Sequence, residues 1–195
     1  MYIDLEKIMS LAIANKPADI ANLCADYLMQ ERVKAAARML EENVSLIGHR
    51  EFSARIVDGK QLFNTPQQVF LLNTPLQGIP AYTSEDKPLL KEASRDFIEL
   101  INTAKAKCKM YSPIKCDKGE LFSFVERHIV SSPEVYITPA RLDAFQLFKT
   151  IVILGGEVRI YRGLNGEHPV YLESENGCAL LMPLRPIIVG ENASQ

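Results

Sequence analysis

The chain contains no tryptophan, three histidines and four cysteines, and it lacks any long hydrophobic run. Each shortage excludes something. Cys24, Cys108, Cys116 and Cys178 do not show the paired short spacings of a zinc site or a disulfide framework, so reduced thiols in a cytoplasmic compartment are expected. The most apolar window, Thr150 to Leu154, falls far short of the roughly 20 residues that a membrane-crossing helix needs, so no membrane association is expected. Met1 to Lys7 carries acidic residues and no basic flank before an apolar run, which does not fit a secretory signal. An excess of one charge is missing too. With 22 Lys and Arg against 24 Asp and Glu, the formal net charge of -2 gives no global attraction to nucleic acid or to an anionic surface.

Catalytic and metal-binding signatures are equally sparse. His49, His128 and His168 are far apart, and none has a carboxylate or cysteine at a metal or catalytic spacing. Gly155-Gly156 and Gly163-x-x-Gly166 precede strands, whereas a phosphate-cradling loop opens a helix. Paired acids such as Glu41-Glu42 and Glu173-x-Glu175 read as solvated carboxylates. No metal or cofactor is expected, and a non-enzymatic role is favoured. The enzymatic alternative is a site assembled from distant segments, with Cys108, Cys116 or Cys178 within reach of His49, His128 or His168.

What is present is a foldable chain of 195 residues, 47% hydrophobic and 24% charged. Residues 1–48 read as a helical segment: Leu5, Ile8, Leu11 and Ala12 share one face, and Asn15-Lys16-Pro17 breaks the run. A second helix carries Ile20, Leu23, Tyr27 and Leu28, and a third carries Val33, Ala36, Ala37, Leu40 and Val44 before Gly48. Residues 49–195 read as an α+β domain. Phe52 to Val57 and Gln68 to Leu72 are expected strands, the first followed by the turn pair Asp58-Gly59. Thr83 to Asp86 offers caps for a helix through Leu90, Phe97, Ile98 and Ile101, and a shorter helix is expected over Gly119 to Ile129.

The pattern from Val135 to Arg185 predicts a strand, a helix and three strands. Thr138 is the expected cap, Pro139 the first helical residue, and Asp143, Gln146 and Lys149 a narrow polar stripe on a largely buried helix. Gly155-Gly156 ends that helix, and Glu157 to Arg162 alternates as a strand. Val170 to Glu173 and Cys178 to Met182 form a hairpin around Glu175-Asn176-Gly177. The fold class is therefore α+β, an N-terminal helical segment followed by a mixed or antiparallel sheet with packed helices. The last strand is apolar on both faces, which predicts cover on both sides or a partner on one.

One concentration of charge stands out. Lys105, Lys107, Lys109, Lys115 and Lys118 lie within fourteen residues against Asp117 alone, with Tyr111 among them. Such a segment suits either a solvated helix end or a loop that tracks phosphates, which makes a DNA-binding accessory protein a further alternative.

Tyr136-Ile137-Thr138-Pro139-Ala140-Arg141-Leu142-Asp143-Ala144-Phe145, Gly156-Glu157-Val158-Arg159-Ile160, His168-Pro169-Val170-Tyr171-Leu172 and Ala179-Leu180-Leu181-Met182-Pro183-Leu184-Arg185 together resemble the last half-module of the bacterial DNA polymerase sliding clamp, its beta subunit. In that family the final strand ends in a similar Met-Pro-x-Arg sequence that helps line an apolar pocket for linear peptides from polymerases and repair proteins. The resemblance implies a peptide-binding role for Met182, Pro183, Leu184 and Arg185, with another protein or a linear peptide as partner, in DNA replication or in a mobile element's interference with it. The helical first 48 residues, an insertion around Thr150 to Leu154, and a chain too short for a bacterial clamp subunit depart from the family. They imply a homo-oligomer or a single derived module. Ile79-Pro80-Ala81-Tyr82-Thr83-Ser84-Glu85 is similar to a strand–loop–helix junction of proteins related to the secretion enhancer SseB. Gln61-Leu62-Phe63 resembles the short peptides that clamps bind, although its alternation points to packing.

Overall fold

The computed structural model describes residues 5–47, 54–79, 81–82, 89–108, 113–116, 134–137, 140–162 and 165–184. Two helices open it, α1 (Leu5–Ile13) and α2 (Pro17–Ile47). Between them Asn15 takes φ +51°, and the Lys16 N–H reaches back to the Leu11 carbonyl at 3.0 Å. Pro17 then starts α2 at a position where its missing N–H is not needed.

The two helices expected over 17–48 are a single one of 31 residues. Nothing between Leu28 and Val33 breaks a helix. The apolar stripe changes face there because the partner changes: Ile20, Leu23 and Tyr27 share the half-buried face of the first half, whereas Ala36 and Met39 are buried in the main core.

Among the described residues ten strands and two further helices follow: β1 (Ala54–Val57), β2 (Lys60–Asn64), β3 (Gln68–Leu72), β4 (Ala81–Tyr82), α3 (Leu89–Cys108), β5 (Ile114–Cys116), β6 (Glu134–Ile137), β7 (Ala140–Asp143), α4 (Ala144–Leu154), β8 (Val158–Tyr161), β9 (Val170–Ser174) and β10 (Gly177–Leu181). Eight strands form one sheet in the order β4-β1-β2-β3-β10-β9-β8-β5, antiparallel except where β4 runs parallel to β1. Asp58 (φ +50°) and Gly59 (φ +74°) join β1 to β2, the two-residue turn with both φ positive that suits the twist of a hairpin.

Helices cover both faces. On one, α4 and the second half of α2 seal a core in which Phe63 stacks on Phe70 with ring centroids 4.6 Å apart, beside Leu147, Ile151 and Leu154. On the other, Ile101, Ala104 and Cys108 of α3 pack on Leu62, Val69, Tyr171 and Leu180. The final strand β10 thus lies in the middle of the sheet. Ala179 and Leu181 face the α4 side, Leu180 and Cys178 the α3 side, so its apolar pattern is explained by cover from its own chain. Leu62 and Phe63 are fully buried on opposite faces of β2, as packing requires.

The closing unit differs in one respect from expectation. Ala140 to Asp143 is a strand, not the first turn of a helix, and it pairs with β6 from Ile137 opposite Ala140 to Glu134 opposite Asp143. The helix begins at Ala144, with Asp143 as its cap: the side-chain Oδ1 accepts the Gln146 N–H at 2.9 Å. Asp143 is therefore the N-cap, bonded to the backbone N–H of Gln146 three residues on, and not merely a member of a polar stripe. Thr138, Pro139, the caps expected at 83–86 and the helix expected over 119–129 lie outside the described residues.

Candidate functional site

Past Leu181 the chain leaves the sheet. The Met182 N–H donates to the Gln67 carbonyl at 2.8 Å and the Leu184 N–H donates to the Arg141 carbonyl at 2.7 Å, so this segment bridges the entry of β3 to β7. Two anchored N–H groups, one on each side of Pro183, hold it extended, and its three side chains stay half-buried. They form one wall of a cleft of about 700 Å³. Pro66 and Gln67 from the β2–β3 turn, Asp143 and Gln146 at the start of α4, Gly166 and Glu167 from the β8–β9 connection, and Leu181 at the end of β10 complete the lining.

A hydrogen-bond network stiffens the inner wall. The Thr65 hydroxyl accepts the N–H groups of Gln67 (3.3 Å) and Gln68 (3.1 Å), which shapes the turn. Gln68, fully buried on β3, donates from Nε2 to the Gln146 carbonyl (2.8 Å) and to the Thr150 hydroxyl (2.7 Å), and Thr150 donates to the same Gln146 carbonyl (2.6 Å). The buried Oε1 of Gln146 has no partner among the described residues. On the outer wall the Asn165 side-chain oxygen accepts the N–H groups of Glu167 and His168, both at 3.0 Å, and meets His168 Nδ1.

Of the residues expected to bind a peptide, Met182, Pro183 and Leu184 line the cleft, and Arg185 lies outside the described residues. The lysines fare differently. Lys105 and Lys107 are exposed in the last turn of α3, Lys115 stands opposite Arg159 at the sheet edge, and Lys109 and Lys118 lie outside the described residues, so no single described surface gathers the five.

No cysteine–histidine pair forms among the described residues. The Cys108 thiol is buried and donates to the Pro169 carbonyl at 3.8 Å, and burial pushes its pKa up against a weaker backbone hydrogen bond at Tyr171. His168 turns to Asn165 instead. Burial also raises the Cys178 thiol, opposed by the Tyr171 hydroxyl, Lys105 and Lys60. Cys24 is half-buried on α2, while His49, His128 and the Cys116 side chain lie outside the described residues. Among the described residues no group of three His, Cys, Asp or Glu side chains is placed to hold a metal, and no helix is long and apolar enough to cross a membrane.

A second groove of about 500 Å³ runs between α2 (Met29, Gln30, Val33, Lys34) and the turn after β3 (Thr74, Pro75, Gln77). Comparison of the chain with family models, with curated proteins and with solved structures finds no match to any of them.

Proposed function

We propose that the protein is a non-enzymatic interaction module, clamp-like in its closing unit, that takes a linear peptide in the cleft beside Met182, Pro183 and Leu184 and acts in DNA replication or in a mobile element's interference with it. One observation carries this reading. Three of the four residues that the clamp resemblance singles out, Met182, Pro183 and Leu184, are only half-buried and line an open cleft of about 700 Å³, inside the range of volumes that take small ligands. An extended peptide places alternate side chains on one side, so two apolar residues against this wall is the fitting mode.

The test is fluorescence anisotropy with a fluorescein-labelled synthetic peptide containing Gln-Leu-Phe. The expected result is saturable binding to the full chain that Met182→Glu weakens by about tenfold or more, with a circular dichroism spectrum unchanged. Binding that is indifferent to Met182→Glu, or no binding, rejects the reading.

A further inference from the structure

We infer that the segment accepted by this cleft carries a basic side chain next to its apolar anchor; the inference rests on the peptide reading above and specifies its chemistry. The charged residues in the described lining are Asp143 and Glu167, and that lining holds no lysine or arginine. Both present acceptors. An ionised carboxylate can only accept, and Asp143 has one oxygen engaged by the Gln146 N–H, which leaves the other for a ligand.

The first turn of α4 opposes this choice, because a helix N-terminus carries about half a positive charge and favours anions. Asp143 already sits on that end as its cap, so its full negative charge outweighs the dipole before Glu167 is added. The described lining is therefore net negative beside an apolar wall. An acidic segment would meet like charge, whereas a Lys or Arg supplies donors to the two carboxylates while its neighbouring residue covers Met182 and Leu184.

Three fluorescein-labelled heptapeptides with a common Leu-Phe core, flanked by Lys, Ser or Glu, test this against the full chain by anisotropy. The Lys peptide is expected to bind about tenfold or more tightly than the Glu peptide, with the ratio shrinking as salt is raised. Glu167→Gln and Asp143→Asn, the latter keeping a side chain that still caps the helix, are each expected to reduce that ratio. Equal binding of all three peptides, or a ratio untouched by both variants, overturns the inference and leaves the peptide reading standing if Met182→Glu still abolishes binding. Binding of none of the three overturns both.

Discussion

The Nε of Arg32, in the middle of α2, donates to the carbonyl of Ile153 at 2.8 Å and so ties the long helix to the C-terminal turn of α4. Carbonyls in a last turn have no partner within the helix proper, and here those of Ile151, Ile153 and Leu154 are met by the cap or by other elements. Gly155 donates its N–H to Ile151, and the Leu154 carbonyl accepts from Ser174 Oγ (3.1 Å) and Asn176 Nδ2 (3.0 Å). Burial lowers the Arg32 pKa, with Glu175 opposing. Its charge still stands at the end of α4 where the helix dipole favours a cation.

Arg32→Ala is accordingly expected to destabilise the fold by about 2 kcal/mol, through an orphaned carbonyl and lost packing of the arginine stem. Lys34→Ala, which breaks only the half-exposed pair with Glu31 (2.8 Å), is expected to cost less than about 0.5 kcal/mol. Urea unfolding of the two variants side by side checks the ranking, and equal costs would remove Arg32 from this role.

Gly177 opens β10 at φ +147°, and a Cβ there would sit 2.4 Å from the Leu71 carbonyl oxygen. Gly59 also has positive φ (+74°), yet a Cβ there meets nothing within 4 Å. Gly177→Ala is expected to cost roughly 3 kcal/mol or to prevent folding, and Gly59→Ala about 1 kcal/mol from backbone strain alone. Thermal melts decide between them, and a mild Gly177→Ala would mean that β3 and β10 are not packed this closely.

Tyr161 and Tyr171 both donate to Glu173, at 3.0 and 3.1 Å. Burial, then the nearby Cys178 and Glu173, pushes the Tyr171 hydroxyl far above its ordinary value near 10. The folded state therefore keeps a proton that the unfolded chain loses. The stabilisation is complete below about pH 10 and declines as pH rises above it. Melting temperature is expected to fall more steeply between pH 10 and 11 than between pH 8 and 9, with Tyr171→Phe flattening the alkaline limb; an unchanged limb in that variant refutes the assignment.

Thiol reactivity follows the same physics. Cys108 and Cys178 are held toward the neutral thiol by burial, and Cys108 is buried besides. Thiolates, not thiols, are the nucleophiles. With iodoacetamide at pH 7.5, peptide mass spectrometry is expected to find Cys24 labelled several-fold faster than Cys108; the reverse order would revive the cysteine–histidine alternative.

Local chemistry was legible where it is decided locally. Asp58-Gly59 announces its hairpin because few residue types tolerate a turn with both φ positive. Asn176-Gly177 marks the other hairpin, although its two-residue turn is Glu175-Asn176 and Gly177 already pairs opposite Ser174 in β10. Strand β2 is hard to read from the sequence, because Gln61 and Asn64 look like surface residues until their partners are known. The Gln61 side chain accepts the Leu76 N–H at 3.0 Å, and Asn64 accepts from the buried Arg55. The start of α4 differs from expectation because Pro139 is a strong local helix-start signal, whereas β6 pairing claims Ala140 to Asp143 for a strand. The cleft divides in the same way. Resemblance alone points to its wall at 182–184, whereas Pro66, Gln67, Gly166 and Glu167 join it only through the sheet order.

The most direct measurement is a methyl NMR titration of the full chain with carbon-13 in its six methionine methyls, using the unlabelled Lys-flanked Leu-Phe heptapeptide. Met182 lines the cleft, Met29 lines the second groove and Met39 is buried in the core, so the three report on different places. A saturable shift of the Met182 methyl, with Met29 and Met39 unmoved, is the predicted result. Movement of Met29 alone, or of no methyl at all, would contradict a peptide site at the end of the central strand.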